Sequence, residues 1–231
     1  MITVHEIPNI KPGQFSGAYV VVENAVNGAP DQTNAIVAGW LVQPNLFNDT
    51  RTHLFVAWTD DDFTETGCYN LLCPGFILLP GSTFKPGSII EPTSIEPKYN
   101  ITLKIYKEKK SGNWWLSYGP TGKYYDLHPI GYWPSQLFAR LSDHANKIIW
   151  GGLVGYDDSK GEHGPPMGSG HLPKEGPEIA ASFKGLKFVY PDGTYYDVSN
   201  NLYSMQEQGE CYKVGTFTVD NFLFGGPGGH C

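Results

Sequence analysis

The chain has 231 residues, of which 28 are glycine and 18 are proline, with 16 Lys+Arg against 23 Asp+Glu. Glycine and proline at this density favour an all-β protein with many turns and exclude a helical bundle. The net charge of −7, with basic residues clustered only at 107–110, excludes nucleic acid as an expected partner. No apolar run approaches the roughly 20 residues that cross a bilayer, so no membrane contact is expected.

Alternating residue patterns predict β-strands along most of the chain. In residues 35–42 the alternation places Ile36, Ala38, Trp40 and Val42 on one face and Val37, Gly39 and Leu41 on the other. Further strands are predicted at 52–59, 100–107, 113–118, 187–190 and 194–198. The last two flank Pro191-Asp192-Gly193, which is typical of a hairpin turn because proline fixes φ and glycine accepts a positive φ.

One segment has helical spacing. Residues 134–148 place Leu137, Phe138, Leu141, Ala145 and Ile148 along one helix face, with a proline in the first turn. Strands throughout with one short helix predict an all-β fold, an antiparallel β-sandwich of two curved sheets.

Four cysteines allow three pairings, and the local one, Cys68 with Cys73 and Cys211 with Cys231, is the simplest. A zinc site is the alternative, but the chain has no second C-x-x-C and no H-x-x-x-H spacing. The cysteines therefore predict disulfides, and no metal site is expected.

The cysteines also bear on cellular location. Two N-x-[ST] sequons begin at Asn48 and Asn100, and both fit a secreted glycoprotein. No signal peptide is evident, which leaves a cytosolic chain or a mature form that starts at an added Met1. Disulfides and sequons together favour secretion.

The longest stretch without strand or helix pattern is residues 157–177, and loops of this length are often functional. His163 and His171 lie in it, near Glu162 and Glu175. Local hydrogen bonds are the favoured interpretation of these histidines, and a metal or acid–base role is the alternative. The glycines of 225–229 look like a phosphate-binding loop, but the favoured interpretation is that they let the C-terminal tail turn.

No motif for a nucleophilic serine, a nucleotide or a dinucleotide is present, and no cofactor is expected. The aromatic residues are more informative. Each of six tryptophans can pack in a core, yet a groove lined by some of them would suit an apolar, peptide or sugar ligand. These tryptophans are Trp40, Trp58, Trp114, Trp115, Trp133 and Trp150.

Seven motifs in order resemble the neprosin domain. They are Ala38-Gly39-Trp40; Trp58-Thr59 followed by Thr66 to Phe76 (TGCYNLLCPGF); Gly112 to Leu116 (GNWWL); Gly131-Tyr132-Trp133-Pro134; Trp150-Gly151-Gly152; Met167 to His171 (MGSGH); and Cys211-Tyr212 with Gly225-Gly226-Pro227-Gly228. The resemblance covers residues 15–231 as one β-sandwich domain and leaves 1–14 as an N-terminal extension.

The resemblance implies a secreted sandwich of two antiparallel sheets with a long cleft across one sheet, and it matches the two local disulfides. The family's best-known activity is glutamic endopeptidase cleavage after proline at acidic pH. One cleft glutamate activates water and the other acts as acid and oxyanion partner. This division of labour needs two carboxylates with different pKa values.

This sequence departs from the family at both glutamates. The first family glutamate precedes Ala-Gly-Trp, where this chain has Val37, and the second precedes Trp-Gly-Gly, where it has Ile149. Leu153, just after Trp-Gly-Gly, supplies no acid either. Loss of a positioned general base alone costs about 10²–10⁴ in rate. Glu65 and Glu175 belong to other segments, so no glutamic peptidase activity is expected.

Two apolar residues in place of carboxylates favour a groove that takes an apolar or aromatic small molecule, or a peptide. The groove would bind its ligand, or would catalyse cyclisation by preorganising it. The residues predicted to line it are Val37, Trp40, Trp58, Tyr118, Ile149, Trp150 and His171. The alternatives are an active proline-directed glutamic endopeptidase with displaced carboxylates and a non-catalytic carbohydrate- or protein-binding module.

Overall fold

A computed structural model describes residues 1–91, 99–120, 127–190, 192, 194–198, 202–206 and 209–230. The strands are β1 (Ile2–Thr3), β2 (Phe15–Asn24), β3 (Asn34–Val42), β4 (His53–Thr59), β5 (Cys68–Tyr69), β6 (Ile77–Leu78), β7 (Asn100–Lys107), β8 (Trp114–Gly119), β9 (His128–Trp133), β10 (Lys147–Gly155), β11 (Ala181–Phe183), β12 (Lys187–Val189), β13 (Tyr195–Asp197), β14 (Lys213–Val214) and β15 (Phe222–Gly225). The described residues also form the α-helix α1 (Pro44–Phe47) and short 3₁₀ turns at Pro30–Gln32, Ser135–Leu137, Asp158–Lys160 and Pro173–Glu175.

The strands form two large antiparallel sheets and a hairpin. One sheet has five strands in the order β10-β2-β3-β4-β5, and the other has eight in the order β14-β15-β11-β1-β7-β8-β9-β6. The strands β12 and β13 pair with each other. The all-β sandwich expected from the sequence is therefore confirmed. No described helix is long and apolar enough to cross a membrane.

The main core lies between the two large sheets. The five-stranded sheet contributes alternate residues, such as Ile36, Trp40 and Val56, and the eight-stranded sheet contributes residues such as Ile101 and Leu116. Because side chains alternate along a strand, the odd-numbered residues of β2, β3, β4 and β10 point away from this core. We call the surface that they form the outer face.

The predicted strands correspond closely to β3, β4, β7, β8, β12 and β13. The turn residues 191 and 193 of the predicted hairpin lie outside the described residues, but the register of β12 and β13 confirms the hairpin itself. No strand was predicted at β2, which lies between β10 and β3 in the five-stranded sheet.

The predicted helix at 134–148 is wrong. This segment contains one 3₁₀ turn at Ser135–Leu137, and the strand β10 begins at Lys147. Other segments satisfy its backbone: Asp60 Oδ1 accepts a hydrogen bond from the Ala139 amide, and Asn34 Oδ1 accepts from the next two amides. The apolar spacing reflects burial of Phe138 and Leu141 in the core rather than a helix face.

The first fourteen residues, set apart by the sequence analysis, pack as part of the sandwich. The strand β1 lies between β11 and β7 of the eight-stranded sheet. Ile2, Val4, Ile7 and Ile10 are all buried in the main core.

The disulfide Cys68–Cys73 is present, with an S–S distance of 2.03 Å. Cys211 is also disulfide-bonded, while Cys231, its predicted partner, lies outside the described residues.

Candidate functional site

The two positions that the resemblance assigns to glutamates lie on the same face of the same sheet. Ile149 pairs with Val21, Val21 pairs with Val37, and Val37 pairs with Ala57. Directly opposed residues of an antiparallel sheet share a face, so these four side chains form one row across the outer face. Only one strand separates Val37 from Ile149, which places their Cα atoms about 10 Å apart.

Aromatic rings extend this row along the outer face. Tyr19 and Phe55 lie 5.7 Å apart between ring centroids, and Phe55 lies 5.9 Å from Tyr69. A Cβ atom on Gly39 would lie 2.8 Å from Cδ1 of Tyr19, so glycine at this position lets the tyrosine lie down on the sheet. Burial raises the pKa of Tyr19 far above its usual range, and its phenol stays neutral.

Carboxylates are nearly absent from this face. Among the outward positions of the five strands, all of them described, Glu23 is the only carboxylate. It is buried and forms a 2.8 Å ion pair with Lys147. A single carboxylate held by a lysine cannot supply both the base and the acid that a glutamic peptidase needs.

The predicted groove residues do not form one surface. Trp40, Trp58 and Trp150 are even-numbered and belong to the inward side of the five-stranded sheet, opposite to Val37 and Ile149. The prediction that Val37 and Ile149 line one groove together with Trp40 and Trp150 is therefore wrong. Its physical reason is the two-residue repeat of a strand, which turns adjacent side chains to opposite faces.

Three of the inward residues are structural. Trp40 is fully buried, and its indole N–H donates to the Thr3 carbonyl at 2.9 Å. The backbone at Gly75, just after the Cys68–Cys73 disulfide, packs directly against the indole of Trp58. A Cβ atom on this glycine would lie only 2.0 Å from Nε1 of Trp58. Tyr118 is buried, and burial raises its pKa well above the usual range.

Trp150 lines a cavity between the two sheets, which we call the inter-sheet cavity. Its volume is about 620 Å³, within the range of small-molecule sites. Its apolar lining comes from the five-stranded sheet, from β7 and β8, and from the segment around β12. These apolar lining residues include Val20, Val22, Leu103, Ile105, Trp114, Ile148, Trp150, Phe183, Leu186 and Phe188.

The mouth of the inter-sheet cavity is aromatic and exposed. Tyr190, Tyr195 and Tyr203 line it and are each about half exposed or more, at 53%, 48% and 70%. Inside, the rings of Trp150 and Phe188 lie 5.9 Å apart. An apolar interior with an amphipathic rim is suited to a ligand that is itself largely apolar.

The family model described as Neprosin matches residues 12–227. The chain belongs to the Neprosin family. In this Neprosin chain the match begins after Ile2, Val4, Ile7 and Ile10, which are buried in the main core. It also begins after β1, which is a strand of the eight-stranded sheet.

His171 lies in neither the outer face nor the inter-sheet cavity of this Neprosin chain. It follows β10 on an exposed loop, where its Nδ1 lies 3.0 Å from Glu175 Oε2. The hydrogen bond from His171 lowers the pKa of Glu175. Glu65, the other carboxylate considered from the sequence, is exposed in the turn after β4.

The long loop 157–177 is fastened to the C-terminal segment by isolated bridges. Gly164 pairs with Gly229, and Met167 pairs with Gly226. The rings of His163 and His230 lie in contact, with centroids 3.7 Å apart and planes tilted by 48°. No group of three or more metal-ligating side chains occurs in the described part of the chain.

Several residues that make the outer face and the inter-sheet cavity apolar were not predicted as site residues. Tyr19, Val21 and Phe55 of the outer face, and Leu103 and Ile105 of the cavity, were not singled out. The signal was present in the alternation of 35–42 and 100–107, which sorts residues by face. The sequence does not show which strand lies next to which in the sheets.

Proposed function

We propose that this Neprosin-family protein binds a small apolar or aromatic molecule in the inter-sheet cavity and has no glutamic peptidase activity. The observation that carries the binding proposal is the 620 Å³ cavity with its largely apolar lining. Burial of each apolar ligand group the size of a valine or leucine side chain contributes about 1.5–3 kcal/mol. Trp150, predicted from the sequence as a ligand residue, lines this cavity.

The absence of peptidase activity is supported by the outer face. Val37 and Ile149 share one row, so the two positions could act on one peptide bond if they carried carboxylates. Neither side chain can accept or donate a proton. Glu23, the only outward carboxylate of the five strands, is committed to Lys147.

A cavity-filling variant tests the binding proposal. We expect the neutral fluorophore 1-pyrenebutanol to bind the wild-type protein, with energy transfer from tryptophan, and Val20→Trp to abolish this binding. Val21→Trp is the matched control, because the same substitution on the next residue projects from the outer face. Leu103→Phe fills the cavity from the other sheet and tests the same point if Val20→Trp is unstable.

Binding that survives both cavity-filling substitutions, in variants that unfold cooperatively, would overturn the cavity as the binding site. Loss of binding in Val21→Trp instead would move the site to the outer face, which carries Val37 and Ile149.

Peptide cleavage tests the second half of the proposal. We expect no products from proline-rich peptides incubated with the wild-type protein between pH 2 and 6 and analysed by mass spectrometry. A parallel digest with pepsin verifies that the peptides are cleavable. Cleavage by the wild-type protein would overturn the proposal, while cleavage only by Val37→Glu/Ile149→Glu would show that these positions carry the family chemistry.

Cyclisation is the catalytic extension of the same proposal. An apolar cavity can hold a flexible diene and an alkene close together, and their cycloaddition converts two C–C π bonds into two C–C σ bonds without gain or loss of an atom. We expect nona-1,3,8-triene to convert to a bicyclic isomer of equal mass faster with wild-type protein than with Val20→Trp. Equal rates would restrict the function to binding.

Secretion is also proposed. It is supported by the Cys68–Cys73 disulfide, because disulfides persist in oxidising compartments, and by Asn48, which is exposed just after α1. Asn100, the second sequon, is half-buried at the start of β7. Expression through a secretory pathway should therefore give an enzyme-removable glycan at Asn48, detected as a mass shift that Asn48→Gln removes.

A further inference from the structure

The lining of the inter-sheet cavity contains more lysines than carboxylates. Four lysines line the cavity, whereas Asp143 is the only carboxylate among the described lining residues. The whole chain has a net charge of −7, so this concentration runs against the overall balance. The four lysines are Lys104, Lys107, Lys147 and Lys187.

Two of these lysines already have carboxylate partners. Lys147 pairs with Glu23 at 2.8 Å, and Lys187 pairs with Asp197 at 2.6 Å. Lys107 donates a hydrogen bond to the Ser142 carbonyl at 2.7 Å. These contacts fix the three side chains without the help of a ligand.

Lys104 is different, because aromatic rings and not oxygen atoms hold its ammonium. Its Nζ lies 4.7 Å from the ring centroid of Tyr106 and 4.8 Å from that of Tyr195. Among the described residues, no carboxylate lies within ion-pair distance of it. Lys104 is half-buried, so part of its hydration is lost and only weak cation–π contacts replace it.

Because side chains alternate along β7, the ammonium of Lys104 lies with Tyr106 on the face opposite to Leu103 and Ile105, and it reaches the cavity only at the rim that Tyr195 covers. Tyr195 links the two features, because it lines the cavity and also contacts the ammonium. An anion on a ligand would form a charge-assisted hydrogen bond with Nζ while the apolar part of the ligand fills the space beside Trp150 and Phe188.

We propose that the ligand of the inter-sheet cavity is an amphiphile with a carboxylate and an apolar body that packs against aromatic rings, and that Lys104 binds the carboxylate. This inference rests on the proposed binding function and adds the charge class of the ligand. Phosphate or sulfate esters have the same sign of charge, but a carboxylate matches the single ammonium without a second cation.

A matched pair of probes separates this inference from the binding proposal itself. 1-Pyrenebutanoate and 1-pyrenebutanol have the same aromatic body and differ in the carboxylate. At pH 7.5 and low salt, we expect the wild-type protein to bind the acid about tenfold more tightly than the alcohol, the range of a charge-assisted hydrogen bond.

The variant Lys104→Met keeps the length of the stem and removes the charge, so we expect it to bind both probes equally. Lys104→Arg should keep the preference for the acid. Lys11→Met should not change this preference, because Lys11 is exposed and is not among the lining residues of the cavity. The preference should also decrease with added salt, because screening weakens ion pairs at the surface.

Each outcome has a distinct meaning. Equal binding of both probes by the wild-type protein would overturn the carboxylate inference and leave the binding proposal intact. A preference for the acid that persists in Lys104→Met would overturn the role of Lys104. Failure of both probes to bind the wild-type protein would overturn the binding proposal and the inference together.

Discussion

Asp49 illustrates how the fold sets the charge state of a single residue. Its Oδ1 lies 2.8 Å from His53 Nε2, and its Oδ2 lies 2.6 Å from an Arg51 guanidinium nitrogen. Burial alone would raise the pKa of Asp49, but the hydrogen bonds from His53 and Arg51 lower it to about 2. His53 is held in turn by the Gly87 carbonyl and by stacking on Phe47 at the end of α1.

This shift gives the stability of the protein an acid dependence. A carboxyl whose pKa is lower in the folded than in the unfolded state stabilises the fold at pH values above its ordinary pKa of 3.8. This stabilisation is lost as the pH falls towards 2. We expect Asp49→Asn to reduce the free energy of unfolding at pH 6 and to flatten its decline between pH 4 and pH 2. Urea titrations at pH 6, 4, 3 and 2 measure both effects.

The control for this measurement is Asp192→Asn, in a fully exposed turn where the pKa of the carboxyl is lowered by local backbone hydrogen bonds. It should change the acid dependence less than Asp49→Asn. If wild-type and Asp49→Asn proteins lose stability in parallel over this range, Asp49 does not contribute to the acid sensitivity.

At the level of elements, the segment between β9 and β10 depends on one buried side chain. Asn34 is 1% exposed, and its Oδ1 accepts hydrogen bonds from the amides of Arg140 and Leu141 at 2.6 and 3.0 Å. Its Nδ2 donates to the Asp60 carbonyl at 2.7 Å. One asparagine therefore replaces the carbonyl acceptors that a helix would have supplied.

We expect Asn34→Ala to lower the free energy of unfolding by about 2–4 kcal/mol, because it leaves the buried Leu141 amide and the partly buried Arg140 amide without an acceptor. Gln32→Ala is the control: it removes an exposed hydrogen bond to the Arg140 side chain and should change stability by about 0.5 kcal/mol or less. Urea unfolding measures both. If Asn34→Ala lowers the free energy of unfolding by less than Gln32→Ala does, the segment does not depend on Asn34.

This segment also shows why part of the fold could be predicted and part could not. The two-residue alternation of β3 and β7 is a local property, so their bounds and faces follow from the sequence. The apolar spacing of 134–148 is equally local, but the acceptors of its amides come from Asp60, 79 residues before Ala139, and from Asn34, 106 residues before Arg140. A sequence pattern does not contain that information.

The same distinction applies to the candidate site. The resemblance located Val37 and Ile149, and the alternation separated Val37 from Trp40, but only the register shows that Val21 lies between Val37 and Ile149. The inter-sheet cavity depends on the packing of β12 near β10, a contact between elements without a sequence signature. Lys104 had no distinguishing pattern within β7.

At the level of the whole molecule, the five-stranded sheet separates two environments. Its outer face, where the family chemistry is expected, is apolar around Val37 and Ile149, while its inner side bounds the cavity at Val20 and Trp150. A change at one surface should therefore leave the other intact. This separation is what makes Val20→Trp and Val21→Trp an informative pair.

The sandwich also depends on its first ten residues, although the family match begins at residue 12. Deletion of residues 1–10 removes β1 from between β11 and β7, and with it the buried side chains of Ile2, Val4, Ile7 and Ile10. At about 1.5–3 kcal/mol for each buried side chain, the loss of about 6–12 kcal/mol is comparable to the stability of a whole domain. We expect the shortened chain not to unfold cooperatively in urea.

A milder variant keeps this prediction testable if the shortened chain aggregates. Ile7→Ala leaves β1 in place and should lower the free energy of unfolding by about 2–4 kcal/mol, whereas Glu6→Gln, on the exposed neighbour, should change it by about 0.5 kcal/mol or less. A shortened chain with a sharp transition and wild-type stability would show that these residues are an extension. A cost for Ile7→Ala without effect in Glu6→Gln would show instead that the eight-stranded sheet needs β1 and the residues after it.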